Sequence, residues 1–138
     1  MTQHIRDIMT TDVKFATPGT SIPHAAKMMR DSDIGSLPVG ENDRLVGMIT
    51  DRDIVTRCVA DGGDINAAEV RSAMTGEIRY CRESQTVDEV CRNMGDIQMR
   101  RLPVVNDEDR LVGIVSLGDL AARAGAAEGG EALREVAQ

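Results

Sequence analysis

The sequence predicts an α+β fold made from two copies of one unit. Each copy is a short, mainly antiparallel sheet with two helices on one face, and the copies pack sheet to sheet about a pseudo-twofold axis. Three observations predict this. The chain repeats itself: Ile5-Arg6-Asp7-Ile8-Met9-Thr10 returns as Val70-Arg71-Ser72-Ala73-Met74-Thr75, Leu37-Pro38-Val39 as Leu102-Pro103-Val104, and Arg44-Leu45-Val46-Gly47 as Arg110-Leu111-Val112-Gly113. The offset is 65 residues up to the acidic turn Asp107-Glu108-Asp109 and 66 after it, so that turn holds one inserted residue. Two long copies mark a duplicated unit, not a solenoid. Within each copy, short apolar runs flanking a turn alternate with stretches of helical periodicity. Finally, two or three short strands with helices on one face are marginal alone, so the bare sheet faces are the surfaces the copies bury.

In the first copy, Arg6 to Met9 is a short helical lead-in, and Val13-Lys14-Phe15 alternates like a strand. Thr17-Pro18-Gly19-Thr20 is a turn. Ser21 caps a helix through Arg30 that carries Ile22, Ala25, Ala26 and Met29 on one face. Pro23 is tolerated there because the first helical turn has no N–H partners to lose. Ile34 to Val39 is a strand, Gly40 to Asp43 a hairpin turn, and Leu45 to Ile49 the returning strand. Thr50 opens a helix that runs to about Ala60 and is closed by Gly62-Gly63.

The second copy follows the same plan. Thr86-Val87-Asp88-Glu89 is a capping box, with Gly95 as C-cap after Met94. Leu102 to Val105 pairs with Leu111 to Val115, and Ser116 opens the last helix. The copies thus run over residues 5–62 and 70–124, with 63–69 as linker and 125–138 as a frayed or loosely docked tail.

Composition narrows the function. A chain of 138 residues suits one compact domain of two halves. With 41% hydrophobic but only 1% aromatic residues, the core is aliphatic and the eight methionines serve as filler. A net charge of −7 repels a long phosphate backbone, and Phe15 and Tyr80 alone offer no stacking platform, so nucleic acid is disfavoured. No run reaches a membrane span and no apolar signal core follows Met1, which points to a cytoplasmic protein with no membrane partner. Cys58, Cys81 and Cys91 are odd in number and lack C-x-x-C spacing, and His4 and His24 are the only histidines. A disulfide framework, a metal site and a nucleophile paired with a base therefore lack material, so no enzyme and no catalytic cofactor is expected.

One segment carries chemistry. Gly47-Met48-Ile49-Thr50-Asp51-Arg52-Asp53 corresponds to Gly113-Ile114-Val115-Ser116-Leu117-Gly118-Asp119, sharing Gly, two apolar residues, a hydroxyl and an Asp three residues later. At a strand-to-helix junction this is a good helix cap. It is also a hydroxyl and a carboxylate that can meet a ribose diol beside phosphate-facing amides. The two readings are compatible, because a cap fixes the rotamer such a site needs. Gly47 and Gly113 allow a close backbone approach, or serve sheet geometry alone.

In order and twice over, this lead-in, helix, Leu-Pro-Val strand and Gly-to-Asp segment resembles a tandem pair of cystathionine β-synthase (CBS) domains, a Bateman module, over residues 5–124. Gly47 to Ile54 is especially similar to stand-alone bacterial CBS-pair proteins. The resemblance implies a regulatory module that binds an adenosine-containing molecule, AMP first, with ATP, ADP or NAD(H) as other members. It implies two clefts. One uses Thr10, Lys14, Ile34 and Gly35 with Ile114, Ser116 and Asp119; the other uses Thr75, Arg79, Met99 and Arg100 with Met48, Thr50 and Asp53. Arg100, Arg101 and Arg52 are the implied phosphate ligands. Gly35 and Ser36 replace Arg100 and Arg101 in the first copy, so charge compensation is lopsided. It further implies a disc-like homodimer that acts in trans on a separate regulated protein. A ligand-free dimerisation or interaction scaffold is the alternative.

Overall fold

The computed structural model describes residues 2–97, 101–116 and 118–120, the side chains of 93–97 excepted. The fold is α+β with two repeats, and the chain divides into two compact units: Met1–Val13 with Arg79–Gln138, and Lys14–Ile78. The expectations for Met99, Arg100, Leu117 and the 125–138 tail lie outside the described residues.

In the Lys14–Ile78 unit, helix α2 (Ile22–Ser32) starts on Ser21, whose hydroxyl accepts from the His24 amide at 3.2 Å. It buries Ile22, Ala25 and Met29. Ala26, expected on that face, is exposed, and Met28 packs against the core in its place. Asp33 ends the helix in the left-handed conformation, φ 53°, and the Ile34 amide donates back to the Met29 carbonyl at 2.9 Å. That closing bond takes Ile34 and Gly35 out of the strand, so β1 runs Ser36–Glu41, two residues later than the apolar run suggests.

Strand β2 (Arg44–Thr50) returns through Asn42-Asp43, both at positive φ (54° and 68°), as a two-residue hairpin turn requires. The expected strand at Val13–Phe15 reduces to one parallel bridge, Ala16 to Val39. The helix after Thr50 is α-helical only over α3 (Asp51–Asp53) and continues as a π-helical segment, Ile54–Val59. There the Thr56 hydroxyl donates to the Arg52 carbonyl at 2.8 Å, competing with the backbone ladder. The Ala60 amide then reaches the Val55 carbonyl, five residues back.

The other unit repeats this plan. Strand β3 (Cys81–Arg82) runs parallel to β4 (Arg101–Val105), which pairs antiparallel with β5 (Leu111–Ser116). Helix α4 (Val87–Ile97) starts on Thr86, whose hydroxyl accepts from the Glu89 amide at 3.3 Å and donates to its carboxylate at 3.0 Å. Hydrogen bonds from Thr86 and Gln85 hold the Glu89 carboxyl below the usual range. Gly95, expected as C-cap, lies inside the helix. The inserted residue is absorbed by a longer turn in which Asn106 accepts from the Glu108 and Arg110 amides and Asp109 takes φ 63°. The ladder is therefore undisturbed: Ser36 opposes Thr50 as Arg101 opposes Ser116.

Each core contains the other copy's lead-in. Ile5 and Ile8 of helix α1 (Ile5–Ile8) are buried with Val87, Val90, Leu102, Val104 and Val115. Val70 and Ala73, from the 3₁₀ turn Val70–Ser72 and its end, are buried with Ile22, Leu37, Val39 and Ile49. The seating bonds match. The Ile5 amide donates to the Gln85 carbonyl at 2.9 Å, and the Val70 amide to the Thr20 carbonyl at 2.8 Å. The three cysteines are buried and form no disulfide, and burial pushes the Cys81 thiol up to about 12.

Candidate functional site

The seated lead-in crosses the returning strand of each hairpin through one antiparallel bridge. Thr10 and Ile114 exchange two backbone hydrogen bonds of 2.9 Å, and Thr75 and Met48 exchange bonds of 2.9 and 3.0 Å. The crossings are close because a glycine lies beneath each. A Cβ on Gly47 would stand 2.8 Å from the Thr75 carbonyl oxygen. One on Gly113 would stand 2.7 Å from Met9 Sδ and 3.0 Å from the Thr10 carbonyl oxygen. Close approach is thus the work of both glycines.

Directly opposed residues of an antiparallel pair project to the same sheet face, and so do residues two apart on one strand. Thr10, Ile114, Pro103, Ser116 and Arg101 therefore share one face of their unit, and Thr75, Met48, Pro38, Thr50 and Ser36 share the matching face of theirs. At the end of each face the strand turns into helix. The Thr50 amide donates to Asp53 Oδ2 and the Asp53 amide to Thr50 Oγ1, both at 3.0 Å. The Ser116 amide donates to Asp119 Oδ2 at 3.0 Å and the Asp119 amide to Ser116 Oγ at 3.1 Å.

The cap reading of these corners is correct, and it leaves capacity for a ligand. A carboxylate offers about four lone-pair sites and a hydroxyl both donates and accepts. Each capping bond uses one of these. The Asp53 side chain is 17% exposed, enough for its Oδ1 edge to be reached.

The two corners differ in charge. Arg101, exposed, stands opposite Ser116, whereas Ser36 stands opposite Thr50. The Gly35 carbonyl accepts from the Asp51 amide at 2.9 Å, and the Asp51 carboxylate comes within 3.1 Å of where a Gly35 Cβ would be. The Lys14–Ile78 corner therefore has Ser36 where its counterpart has Arg101, with the Asp51 carboxylate against Gly35. Lys14, Arg52 and Arg79 are exposed and Ile34 is half-buried; Met48 is buried. Met99 and Arg100 lie outside the described residues.

Sequence reasoning named Ser36 only as the residue that replaces Arg101, and it missed Arg57. Arg57 sits 3.9 Å from Asp53 Oδ1 through Nε, and its Nη1 donates to the Ala73 and Met74 carbonyls at 3.3 and 3.4 Å. Its signal was present: Arg123 follows Asp119 at the same four-residue interval.

Among the described residues, no group of three or more His, Cys, Asp or Glu is placed to hold a metal ion, and no helix is long and apolar enough to cross a membrane. A family model described as CBS domain matches residues 5–60 and 67–125. The chain is 42% identical over 117 residues to Hypoxic response protein 1 of Mycobacterium tuberculosis, covering 84% of this chain and 81% of that protein. The crystal structure of Hypoxic Response Protein I with two coordinated zinc ions matches with a TM-score of 0.78 at 39% identity, covering 88% of this chain and 98% of that one. CBSX2 of Arabidopsis thaliana in complex with AMP matches at 0.77 and 25% identity, covering 88% and 96%. The CBS domain pair of protein MJ0100 in complex with 5′-methylthioadenosine and S-adenosyl-L-methionine matches at 0.75 and 29% identity, covering 92% and 99%.

Proposed function

The chain belongs to the CBS domain family, as a tandem pair of repeats, and on that basis we propose that it is a regulatory module that binds an adenosine-containing ligand and acts on a separate protein. The observation that carries this reading is the duplicated corner. A hydroxyl and a carboxylate are locked in reciprocal caps at the end of a sheet face, with a seated Thr and an apolar Met or Ile two residues back along the strand. Asp53 and Asp119 accept the ribose hydroxyls, Thr50 and Ser116 face the 5′ side, and Met48 and Ile114 give the base dispersion contact without an aromatic stack. The AMP and methylthioadenosine complexes of related CBS pairs support this ligand class. AMP is the first candidate, with ADP, ATP and NAD(H) sharing the same adenosine. The hydroxyls and carboxylates are engaged in capping one another, which suits binding rather than catalysis.

Arg101 tests the geometry. A guanidinium opposite Ser116 can grip a 5′-phosphate through two parallel hydrogen bonds. Arg101→Gln is expected to weaken AMP about tenfold at the Ser116–Asp119 corner and to leave adenosine unchanged. Isothermal titration in an Asp53→Ala background isolates that corner. Equal affinities for AMP before and after the substitution would remove Arg101 from the site.

The proposal includes a cytoplasmic homodimer. Val55 and Val59, one turn apart and 57% and 54% exposed, are the apolar surface on which we place the second copy. Paired Val55→Asp and Val59→Asp substitutions are expected to give a monomer by light scattering. A dimer that persists would move the interface elsewhere.

A further inference from the structure

We infer that Arg57 positions the Asp53 carboxylate and ties it to the second lead-in, so that a ribose held by Asp53 is registered at Thr75. This rests on the ribose reading of the Thr50–Asp53 corner, and every participant lies in the Lys14–Ile78 unit. Asp53 is held from both sides: Oδ2 accepts from the Thr50 amide at 3.0 Å, and Oδ1 stands 3.9 Å from Arg57 Nε. The same guanidinium donates through Nη1 to the Ala73 and Met74 carbonyls at 3.3 and 3.4 Å. The Met74 carbonyl belongs to the peptide that carries the Thr75 amide, and that amide donates to the Met48 carbonyl at 2.9 Å. One side chain therefore spans from the ribose carboxylate to the strand crossing that carries Thr75.

The residue type fits the task. Arginine presents five donors in a rigid planar fork, so one edge can face a carboxylate while another serves carbonyls; an ammonium is a point charge and serves one or the other. Arg57 lies in the π-helical segment, one turn after Asp53. The Arg57 side chain is half-exposed, its approach to Asp53 is 3.9 Å and the carbonyl bonds are long, so their joint contribution to stability is small. Arg57 acts on the geometry of the corner rather than on whether the unit folds. When ribose hydroxyls donate to Asp53 they share its charge with the guanidinium, and the hold on the lead-in changes with them.

The test uses the full chain in an Asp119→Ala background, so that only the Asp53 corner is read. AMP and 2′,3′-dideoxy-AMP are titrated into Arg57, Arg57→Gln and Arg57→Lys proteins, and amide hydrogen exchange is followed without ligand. Arg57→Gln is expected to weaken AMP about tenfold, leave the dideoxy analogue within a factor of about two, and speed exchange at the Thr75 amide but not along β1. Arg57→Lys is expected to recover part of the AMP affinity and none of the Thr75 protection. An equal loss for both nucleotides would make Arg57 merely structural, and unchanged exchange at Thr75 would break the tie to the lead-in; either result overturns the inference. If the Arg57 protein itself fails to prefer AMP over the dideoxy analogue, the ribose reading has failed. The exchange measurement then still decides whether Arg57 holds the lead-in.

Discussion

Asp53→Ala combined with Asp119→Ala is expected to weaken AMP binding by roughly a hundredfold or more while the protein stays folded, because each hydrogen bond to a charged group contributes about 1.5–3 kcal/mol. Each substitution also removes the acceptor for an N-cap amide, Thr50 in one corner and Ser116 in the other. That costs about 1 kcal/mol per corner, a lowered melting midpoint rather than unfolding. Asp53→Asn and Asp119→Asn separate the two effects. The amide oxygen keeps an acceptor for the cap and loses the charge, so stability should recover while affinity should not. If the Ala double variant binds AMP like the parent, the carboxylates cap helices and nothing more.

Gly47→Ala is expected to destabilise the protein by about 1–3 kcal/mol, even though the residue is in a strand and alanine is the smallest side chain available. The added Cβ would lie 2.8 Å from the Thr75 carbonyl oxygen, and that oxygen is fixed by its bond from the Met48 amide. Backbone must move, and the residues that move are those bearing Thr75 and Met48. Ligand binding at the Thr50 corner should therefore weaken along with stability. Gly113→Ala meets Met9 Sδ first, at 2.7 Å, with the Thr10 carbonyl oxygen at 3.0 Å. A methionine side chain can swing aside, so Gly113→Ala should be the milder of the two. Urea denaturation of both variants gives the comparison. A Gly47→Ala protein as stable as its parent would mean the crossing is looser than 2.8 Å implies.

Much of this fold is legible in the sequence because the repeat supplies two readings of every element. Leu37-Pro38-Val39 and Leu102-Pro103-Val104 sit in equivalent strands, and the one-residue insertion falls in the Asn106–Arg110 turn, where it cannot shift the ladder. The corners were legible for the same reason: a hydroxyl and a carboxylate three residues apart have one good geometry at a helix start, and both copies adopt it. The lead-in exchange was not legible from local pattern, because Met9-Thr10 and Met74-Thr75 are the same dipeptide and nothing beside them tells a lead-in which hairpin to join; only the family resemblance put Thr10 with Ile114 and Thr75 with Met48.

Other misses have local causes. Val13-Lys14-Phe15 alternates like a strand, yet the bridge to the sheet forms one residue later, between Ala16 and Val39, because pairing needs a neighbour that periodicity does not reveal. The π-helical segment at Ile54–Val59, in which the Thr56 hydroxyl takes the Arg52 carbonyl, is a backbone detail that helix propensity does not register. Arg101 was singled out by the family resemblance, as a basic residue just before Leu102-Pro103, but its position opposite Ser116 needed the register, since a slip of one residue would send it to the other face.

Ligand-dependent melting tests the central claim most directly: the purified chain heated alone and with AMP, ATP, NADH or S-adenosylmethionine at about a hundred times a micromolar-range dissociation constant. A ligand bound only by the native state at that excess adds about 2.7 kcal/mol, a shift of several degrees. The account predicts such a shift with at least one adenosine ligand, AMP foremost, and its disappearance in the Asp53→Ala, Asp119→Ala double variant. An unchanged midpoint with all four ligands would contradict it and leave the paired repeats as a scaffold for protein partners.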